Sequence, residues 1–195
     1  AFAGAFMGIR KAVGGAADFE AAMNLVEVNS GAAASQVAEL AALAERLGQE
    51  TVFSSLEAAN ALNELVKGGV SVQQIMAGAA EATVFLAAAG GVDLKRAAEI
   101  AADAMNAFNL SGGEMMRVAD ALAGVALSTT ADMSDLAFGF KAGAAVAKQA
   151  GQPLEEFAAA LGAMAEAAIL GSDAGTSLKA FLMNIIPTAK ADTQA

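Results

Sequence analysis

A glycine-rich segment at residues 171–177 is the part of this 195-residue sequence that most resembles a ligand-binding loop. Where such a segment leads into a helix, it exposes backbone N–H groups that can bind phosphate. A nucleotide-binding phosphate loop also requires a preceding strand and a Lys directly before its final Ser or Thr, and the sequence offers neither. We therefore interpret the segment as a helix start, and Lys179, one turn later, as a solvated side chain.

Paired acidic residues are the second candidate for chemistry, because two carboxylates can serve acid–base catalysis or bind a hard cation. Glu155 with Glu156, and Asp132 with Asp135, all fall in the first turn of a predicted helix. Negative charge there stabilises a helix by about 0.3–1 kcal/mol, so we interpret both pairs as helix-terminal residues. Glu166 interrupts an otherwise apolar stretch, and we expect it to face water.

The residue types that most often do chemistry are missing, since the chain contains no His and no Cys. These residues supply the commonest general base and the commonest ligands of zinc. We predict no catalytic, cofactor-binding or metal-binding residue and no cofactor, and we expect a protein that is not an enzyme.

Two further sets of residues have both a structural and a functional interpretation. Asn residues within helices either form hydrogen bonds between helices or lie on the surface. Met residues either fill the core, which is the commoner case, or form an adaptable binding surface. The residues concerned are Asn24, Asn60, Asn63, Asn106, Asn109, Met105, Met115, Met116, Met133 and Met164.

Pairs of glycines four residues apart predict helices that cross at a short distance. Two such pairs are Gly4 with Gly8 and Gly139 with Gly143. Lys141 and Lys148 flank the second pair, which favours packing between soluble helices over packing in a membrane. Replacement of Gly143 by Leu is expected to disrupt folding or assembly.

The charge of the chain argues against a nucleic-acid-binding surface. Its 11 Lys and Arg residues are scattered among 21 Asp and Glu residues, which gives a net charge of −10. Proteins that bind nucleic acid need clustered cations, so we expect no sequence-specific nucleic-acid partner. Hydrophobic residues make up 56% of the chain, which is ample for a core. Because Ala dominates and buries little area, we expect the fold to depend on partner chains.

Helix start and stop signals recur along the chain. Capping boxes are predicted at Ser54 with Glu57, Ser71 with Gln74, and Ser111 with Glu114. Asp93 is predicted to cap a helix without a return partner, and Pro153 is predicted to occupy the first position of a helix. Glycines that can turn left-handed predict stops at Gly48, Gly68 with Gly69, Gly90 with Gly91, Gly151 and Gly171. The resulting helices lie near residues 16–29, 34–48, 55–67, 72–89, 94–109, 113–128, 133–150, 154–170 and 174–186.

These signals predict an all-α protein of about nine short-to-medium, Ala-rich helices joined by Gly-rich turns, as a compact or elongated helical bundle. The starts recur about every twenty residues, but residues within the units do not repeat well enough to indicate a solenoid. We divide the chain into residues 1–15, the end of an upstream helical segment, residues 16–186, a core helical domain, and residues 187–195, the start of a downstream linker. Charges interrupt every long apolar stretch, so we expect no membrane-spanning helix.

Short runs of residues along most of the chain occur in the same order in one protein family. They are residues 19–26 (FEAAMNLV), 44–48 (AERLG), 51–54 (TVFS), 57–59 (EAA) with Leu65, Gly69 and Ser71, 86–94 (LAAAGGVDL), 107–110 (AFNL), 117–123 (RVADALA), 150–151 with 154–156, and 171–179 (GSDAGTSLK). Through them the chain resembles the core region of phage tail tape measure proteins of the lactococcal-phage (TP901-like) type. The sequence departs from that family at Ala168 and Asn109, where the family pattern has Gly.

The resemblance implies a structural protein that sets tail length and nucleates assembly of the tail tube from the tail tip. It implies release of the protein before DNA during ejection and contact with the host membrane at that step. The implied partners are tail tip or baseplate hub proteins, the tail tube protein, and copies of the same chain in a trimer. The implied location is the lumen of the virion tail near its tip, after assembly in the bacterial cytoplasm.

Two other function classes remain open at this point. A membrane-active or pore-forming helical protein is compatible with the apolar composition and the glycine pairs. An enzyme that uses the loop at residues 171–177 would require nucleotide binding.

Overall fold

The computed structural model describes the backbone of residues 2–185 and the side chains of residues 15–185. In this part of the chain the structure consists of helices and turns without strands, which confirms the predicted all-α class. The helices are α1 (Phe2–Ser30), α2 (Ala34–Glu50), α3 (Ser55–Lys67), α4 (Val72–Gln74), a π-helical turn (Ile75–Ala79), α5 (Ala80–Gly90), α6 (Leu94–Phe108), a 3₁₀ turn (Gly112–Glu114), α7 (Met115–Ser128), α8 (Met133–Gln149), α9 (Leu154–Glu166) and α10 (Gly171–Ile185).

The helices of this bundle lie in two rows. In the first row α1, α3, α6, α8 and α10 pack side by side in that order, and in the second row α5, α7 and α9 do the same. Helix α2 precedes α5 in the second row and is joined to it by the ion pair of Arg46 with Glu81. First-row helices begin at Ser55, Leu94, Met133 and Gly171, about 39 residues apart, a spacing typical of stacked helix pairs. The helix pairs thus repeat in their packing and not in their sequence, because the residues at equivalent positions of successive pairs differ.

Apolar side chains from both rows form one continuous core. Its largest fully buried side chains include Leu40, Leu65, Ile75, Leu122 and Leu161. Because Ala is the commonest buried residue, close approach of the helix backbones replaces much of the area that larger side chains would bury.

An aromatic cluster lies where α6, α8 and α9 meet. The ring centroids of Phe108, Phe140 and Phe157 are 5.3 to 6.4 Å apart, and Phe140 meets Phe157 edge to face. Such pairs contribute about 0.5–1.5 kcal/mol beyond the area that they bury.

Most of the predicted helix starts are confirmed. Ser54 Oγ accepts a hydrogen bond from the N–H of Glu57 at 3.2 Å, and the Glu57 carboxylate accepts one from the N–H of Ser54 at 2.8 Å. Ser71 and Gln74 form the same box, and Asp93 accepts from the N–H of Arg96 at 2.9 Å. At Ser111 the structure forms the return bond, from its N–H to Glu114 Oε2 at 2.9 Å. The helix predicted from residue 154 begins at Leu154, as its predicted range has it. Pro153 is the N-cap, with an extended ψ of 149°, and not the first helical residue that the sequence predicts.

The helix ends are confirmed less uniformly. Gly69, Gly91 and Gly151 follow helices with φ of +87°, +62° and +74°, as the stop signals predict. The predicted stop at Gly48 is wrong, since α2 continues to Glu50. Gly48 instead allows α2 to approach the start of α3, where a Cβ would overlap Ser55.

Other helix bounds also differ from the predictions. Helix α1 begins at Phe2 and runs through residue 15 without a break, and α9 ends at Glu166 instead of near residue 170. The domain boundaries at residues 15 and 186 therefore stay predictions, and residues 187–195 lie outside the described residues.

The helix predicted over residues 72–89 is interrupted by the π-helical turn. Within that turn Gly78 has a φ of 120°, which the α-helix does not allow. The 3₁₀ turn packs directly against this point, where a Cβ on Gly112 would overlap the carbonyl of Gln74. Gln74 Nε2 also donates a hydrogen bond to the carbonyl of Leu110 at 3.2 Å. The irregular backbone is therefore held by a contact between residues far apart in the sequence.

Candidate functional site

A close backbone contact lies between α8 and α10 and is formed by glycines on both helices. A Cβ placed on Gly143 would lie 2.8 Å from the carbonyl oxygen of Gly175, and a Cβ on Gly175 would overlap the carbonyl oxygen of Gly139. A Cβ on Gly139 would lie 3.4 Å from the carbonyl oxygen of Gly171. The pair Gly139 with Gly143 thus faces a second pair, Gly171 with Gly175, with the same four-residue spacing. The predicted close crossing of helices is confirmed at this site.

Side chains of α9 close one side of this contact. A Cβ on Gly139 would lie 2.7 Å from Leu161 Cδ2, and a Cβ on Gly143 would lie 2.7 Å from Phe157 Cζ. The contact is buried and apolar, and it suits the joining of helices. The four glycines include two from the segment at residues 171–177, which lies here in the first turns of α10.

The packing of the other glycine pair is outside what the structure describes. Gly4 and Gly8 lie in the part of α1 for which only the backbone is given. Close packing there stays a prediction.

The acidic pairs occupy the first helical turns, as the sequence predicts. Asp132 Oδ1 accepts a hydrogen bond from the N–H of Asp135 at 2.7 Å, which caps α8. Glu155 lies at the start of α9, where its own backbone N–H and the guanidinium of Arg117 hold the pKa of its carboxyl below the usual range. Glu156 is exposed in the same turn. No group of three or more acidic residues suited to a metal ion occurs among the described residues.

Glu166 is exposed, as predicted, and it also joins two second-row helices. Its Oε1 accepts a hydrogen bond from the N–H of Thr130 at 3.0 Å, and Thr130 Oγ1 donates to the carbonyl of Ala165 at 3.0 Å. These bonds tie the turn after α7 to the end of α9. The sequence shows no signal for them, because the partners are 35 or 36 residues apart.

The two interpretations of the Asn residues both apply. Asn63 is buried and accepts a hydrogen bond from Asn29 Nδ2 at 2.7 Å, between α1 and α3. Asn106 donates to the carbonyl of Gly68 at the end of α3, whereas Asn24 and Asn60 are exposed. Asn29 was missed by the sequence analysis, and only its position on α1 opposite Asn63 reveals its role.

The Met residues mostly fill the core. Met105, Met115 and Met133 are buried, and Met164 is partly buried against the core. Met116 is 39% exposed and does not fit the core interpretation.

Most cations in the described part of the chain are neutralised by ion pairs, several of which join neighbouring helices of one row. The pairs are Arg46 with Glu50 and Glu81, Lys67 with Glu64, Lys95 with Glu64, Arg96 with Glu99, Arg117 with Glu155, and Lys141 with Asp103. Lys148 donates to the carbonyl of Phe108 at 2.6 Å. The remaining surface charge is therefore dominated by carboxylates, which disfavours contact with phosphate.

One described helical stretch, Val72–Gly90, is long and apolar enough to cross a membrane by length and composition. The sequence analysis expected none. In this structure 39% of that stretch is buried, and Ile75, Ala79 and Leu86 on it are core residues. A core helix passes the same test of length and composition, so the observation is weak evidence for a membrane span.

Comparisons with known proteins agree with one another. The sequence model of the phage-related minor tail protein family matches residues 41–195. The chain is 38% identical to the tape measure protein of Pneumococcus phage Dp-1 over 174 residues, which cover 89% of this chain and 15% of that protein. It is 36% identical to the probable tape measure protein of Escherichia phage P2 over 158 residues, which cover 79% of this chain and 19% of that protein. The chain thus spans less than a fifth of the length of these relatives.

No solved structure matches the chain significantly. The family match covers most of the two-row bundle, including both glycine pairs of the contact between α8 and α10. The chain therefore belongs to the phage-related minor tail protein family, and it is similar to one part of phage tail tape measure proteins.

Proposed function

We propose that this chain is the core region of a tape measure protein that sets tail length and nucleates assembly of the tail tube from the tail tip. The observation that carries the proposal is the match to tape measure proteins over 89% and 79% of the chain. The bundle would then act as a folded anchor at the tip, inside the tail lumen, while other parts of the protein span the tube. The proposal includes the lactococcal-phage type of the family, assembly in the host cytoplasm, and association as a trimer with tail tip or hub proteins and the tube protein.

The acidic surface supports a location through which DNA later passes. Because the described cations are mostly paired, the bundle presents carboxylates to the lumen and resists adhesion to DNA. Its Ala-rich core buries small side chains, which favours a modest free energy of unfolding. Both properties suit a protein that leaves the tail before the DNA.

The test is made in a phage that carries the gene. In-frame deletions outside this region are expected to shorten tails in proportion to the residues removed, as measured by electron microscopy. Gly143→Leu within this region is expected to reduce the number of tails and leave the length of those that form unchanged. Tails of unchanged length after the deletions would contradict the proposed role in length determination.

A membrane-active protein is the second candidate, because Val72–Gly90 has the length and composition of a membrane span. This candidate predicts that the purified chain releases dye from lipid vesicles, and that a charge introduced by Phe85→Lys on the exposed side of α5 abolishes the release. The tape measure role of the folded bundle predicts no release with either protein.

A further inference from the structure

The turn between α9 and α10, residues 167–170, has a sequence that favours a helix. It consists of two Ala residues, an Ile and a Leu, whereas the other turns between the described helices contain Gly, Asn, Pro, Ser or Thr. Ala and Leu are among the residues that favour a helix most, and the sequence accordingly predicts one helix through residue 170. The structure ends α9 at Glu166. Local preference and tertiary structure therefore disagree at this turn.

The disagreement is concentrated in one residue of the turn, Ala168. Its φ is 61°, and across it the N–H of Ile169 donates a hydrogen bond to the carbonyl of Met164 at 2.9 Å. Glycine is the usual residue at this position of a helix end, because a Cβ is unfavourable in the left-handed conformation. A straight helix through the turn removes that strain, because Ala168 then has the ordinary helical φ.

Helix α10 is attached to the bundle by apolar contacts. Its buried residues are Ala174, Gly175 and Leu182, and it packs mainly against α8. The hydrogen bonds and ion pairs of the described residues include no side-chain link from α10 to another helix. The three earlier helices of this row are each linked to the preceding one by a side-chain hydrogen bond. These bonds join Asn63 with Asn29, Asn106 with Gly68, and Lys148 with Phe108.

The face of α8 that α10 covers fits only a helix that lacks side chains at particular positions. A Cβ on Gly143 would lie 2.8 Å from the carbonyl oxygen of Gly175, and a Cβ on Gly175 would overlap the carbonyl oxygen of Gly139. Phe157 and Leu161 of α9 close one side of this face. The α10 of any copy of the chain has its glycines at the required positions. A second copy therefore supplies a helix that fits this face without any change.

We propose that copies of this chain exchange α10 by straightening the turn at residues 167–170. In the exchanged form α9 and α10 are one continuous helix over residues 154–185, and each α10 lies on the α8 of another copy. Each chain gives one α10 and receives one, so a reciprocal pair and a ring of three both cover every α8 face. The contacts of α10 are the same in both forms, so the equilibrium depends on the turn and on the concentration of the chain. The exchange does not depend on a role in tail assembly, and its failure would leave that role untouched.

Refolding of the 195-residue chain at low and high concentration tests the exchange, with size-exclusion chromatography and light scattering as the measurement. Oligomers are expected at high concentration. Ala168→Gly is expected to lower the ratio of oligomer to monomer by about tenfold, since Gly relieves the turn and weakens the continuous helix. The matched control is Ala167→Gly, because Ala167 has a φ of −90°. It is expected to lower the ratio less, since it relieves no strain.

A mixture of two variants tests whether α10 is the exchanged element. Gly143→Leu obstructs the face on α8 and Gly175→Leu obstructs α10, so neither variant alone can form the contact in either form. In the mixture, the intact α10 of the first variant fits the intact α8 of the second. Oligomers that contain both variants are therefore expected by native mass spectrometry after joint refolding, and none is expected from either variant alone. Gly124→Leu is the control that forms oligomers by itself, since a Cβ there meets nothing within 4 Å.

Three results would overturn the proposal. The first is a monomer at every concentration. The second is an equal ratio of oligomer to monomer for Ala168→Gly and the unaltered chain. The third is oligomers of the unaltered chain without mixed oligomers of the two obstructed variants, provided that circular dichroism shows both variants to be helical. That result would place the contact between copies elsewhere on the bundle.

Discussion

Among the described residues, two residues other than glycine have left-handed backbone conformations. Both stand at positions where the resemblance to tape measure proteins led us to expect Gly. Ala168, in the turn after α9, has a φ of 61°, and Asn109, at the end of α6, has a φ of 54°. Asn tolerates this region better than Ala because its short polar side chain can form hydrogen bonds with the local backbone. The turn at Ala168 is therefore the more strained of the two.

Ala168→Gly is expected to raise the free energy of unfolding by roughly 0.5–1 kcal/mol, because relief of the left-handed strain exceeds the added entropy of the unfolded chain. The measurement is urea denaturation followed by circular dichroism. The matched control is Ala167→Gly, since Ala167 in the same turn has a φ of −90° and is expected to lose stability. A decrease for both variants would show that the conformation at residue 168 carries no strain.

The starts of individual helices are set by their capping residues. The cap formed by Ser54 and Glu57 makes the free energy of unfolding depend on pH. The N–H and hydroxyl of Ser54 bind the Glu57 carboxylate and hold its pKa below the ordinary value. A carboxyl whose pKa is lower in the folded state stabilises the fold above its unfolded pKa. This stabilisation is lost as the pH falls through the folded pKa.

Glu57→Gln is expected to reduce the loss of stability between pH 7 and pH 3, because the amide keeps the cap and does not titrate. Unfolding free energies at the two pH values give the difference for the variant and for the unaltered chain. Glu39→Gln, at an exposed position of α2, is the control. An identical pH dependence of the Glu57→Gln variant and the unaltered chain would contradict the role of this cap.

The contact between α8 and α10 depends on the lack of side chains at its glycines. Gly175→Ala is expected to lower the free energy of unfolding by about 1–3 kcal/mol, because the added methyl group overlaps the backbone of α8 at Gly139. Gly124→Ala is the control, since a Cβ there meets nothing within 4 Å. Its free energy of unfolding is expected to rise by roughly 0.5–1 kcal/mol, because Ala has a higher helix propensity than Gly. Thermal unfolding of the two variants separates steric overlap from helix propensity, and equal shifts would refute the close contact.

At the scale of the whole molecule, the distribution of charge bears on the passage of DNA. The chain carries a net charge of −10, and ion pairs occupy most of the described cations. Exposed carboxylates in the second row include Glu39, Glu45, Asp120 and Glu156. They make this side of the bundle repel phosphate.

Replacement of these four residues by Lys is expected to create salt-dependent binding to double-stranded DNA, which the unaltered chain lacks at physiological salt. Electrophoretic mobility shift at two salt concentrations is the measurement. The variant with Asn or Gln at the same four positions controls for the loss of carboxylates without added cations. Tight DNA binding by the unaltered chain would contradict the proposed role of the acidic surface.

The sequence by itself determined the helical class, most helix starts and most left-handed stops of this protein. These features are local, since a cap joins residues three apart and a positive φ concerns one residue. The sequence also carried the family resemblance, because the matching residues are concentrated at these caps and turns.

Only the tertiary structure decided how the helices are arranged in two rows. The contacts that join neighbours within a row connect residues 34 to 40 positions apart, as in Asn29 with Asn63 and Lys148 with Phe108. It also decided that Gly139 and Gly143 face Gly171 and Gly175, and that Gly112 lies against the π-helical turn. A pair of glycines shows that another helix can approach closely. Which helix approaches depends on how all the helices pack, and no local sequence pattern contains that information.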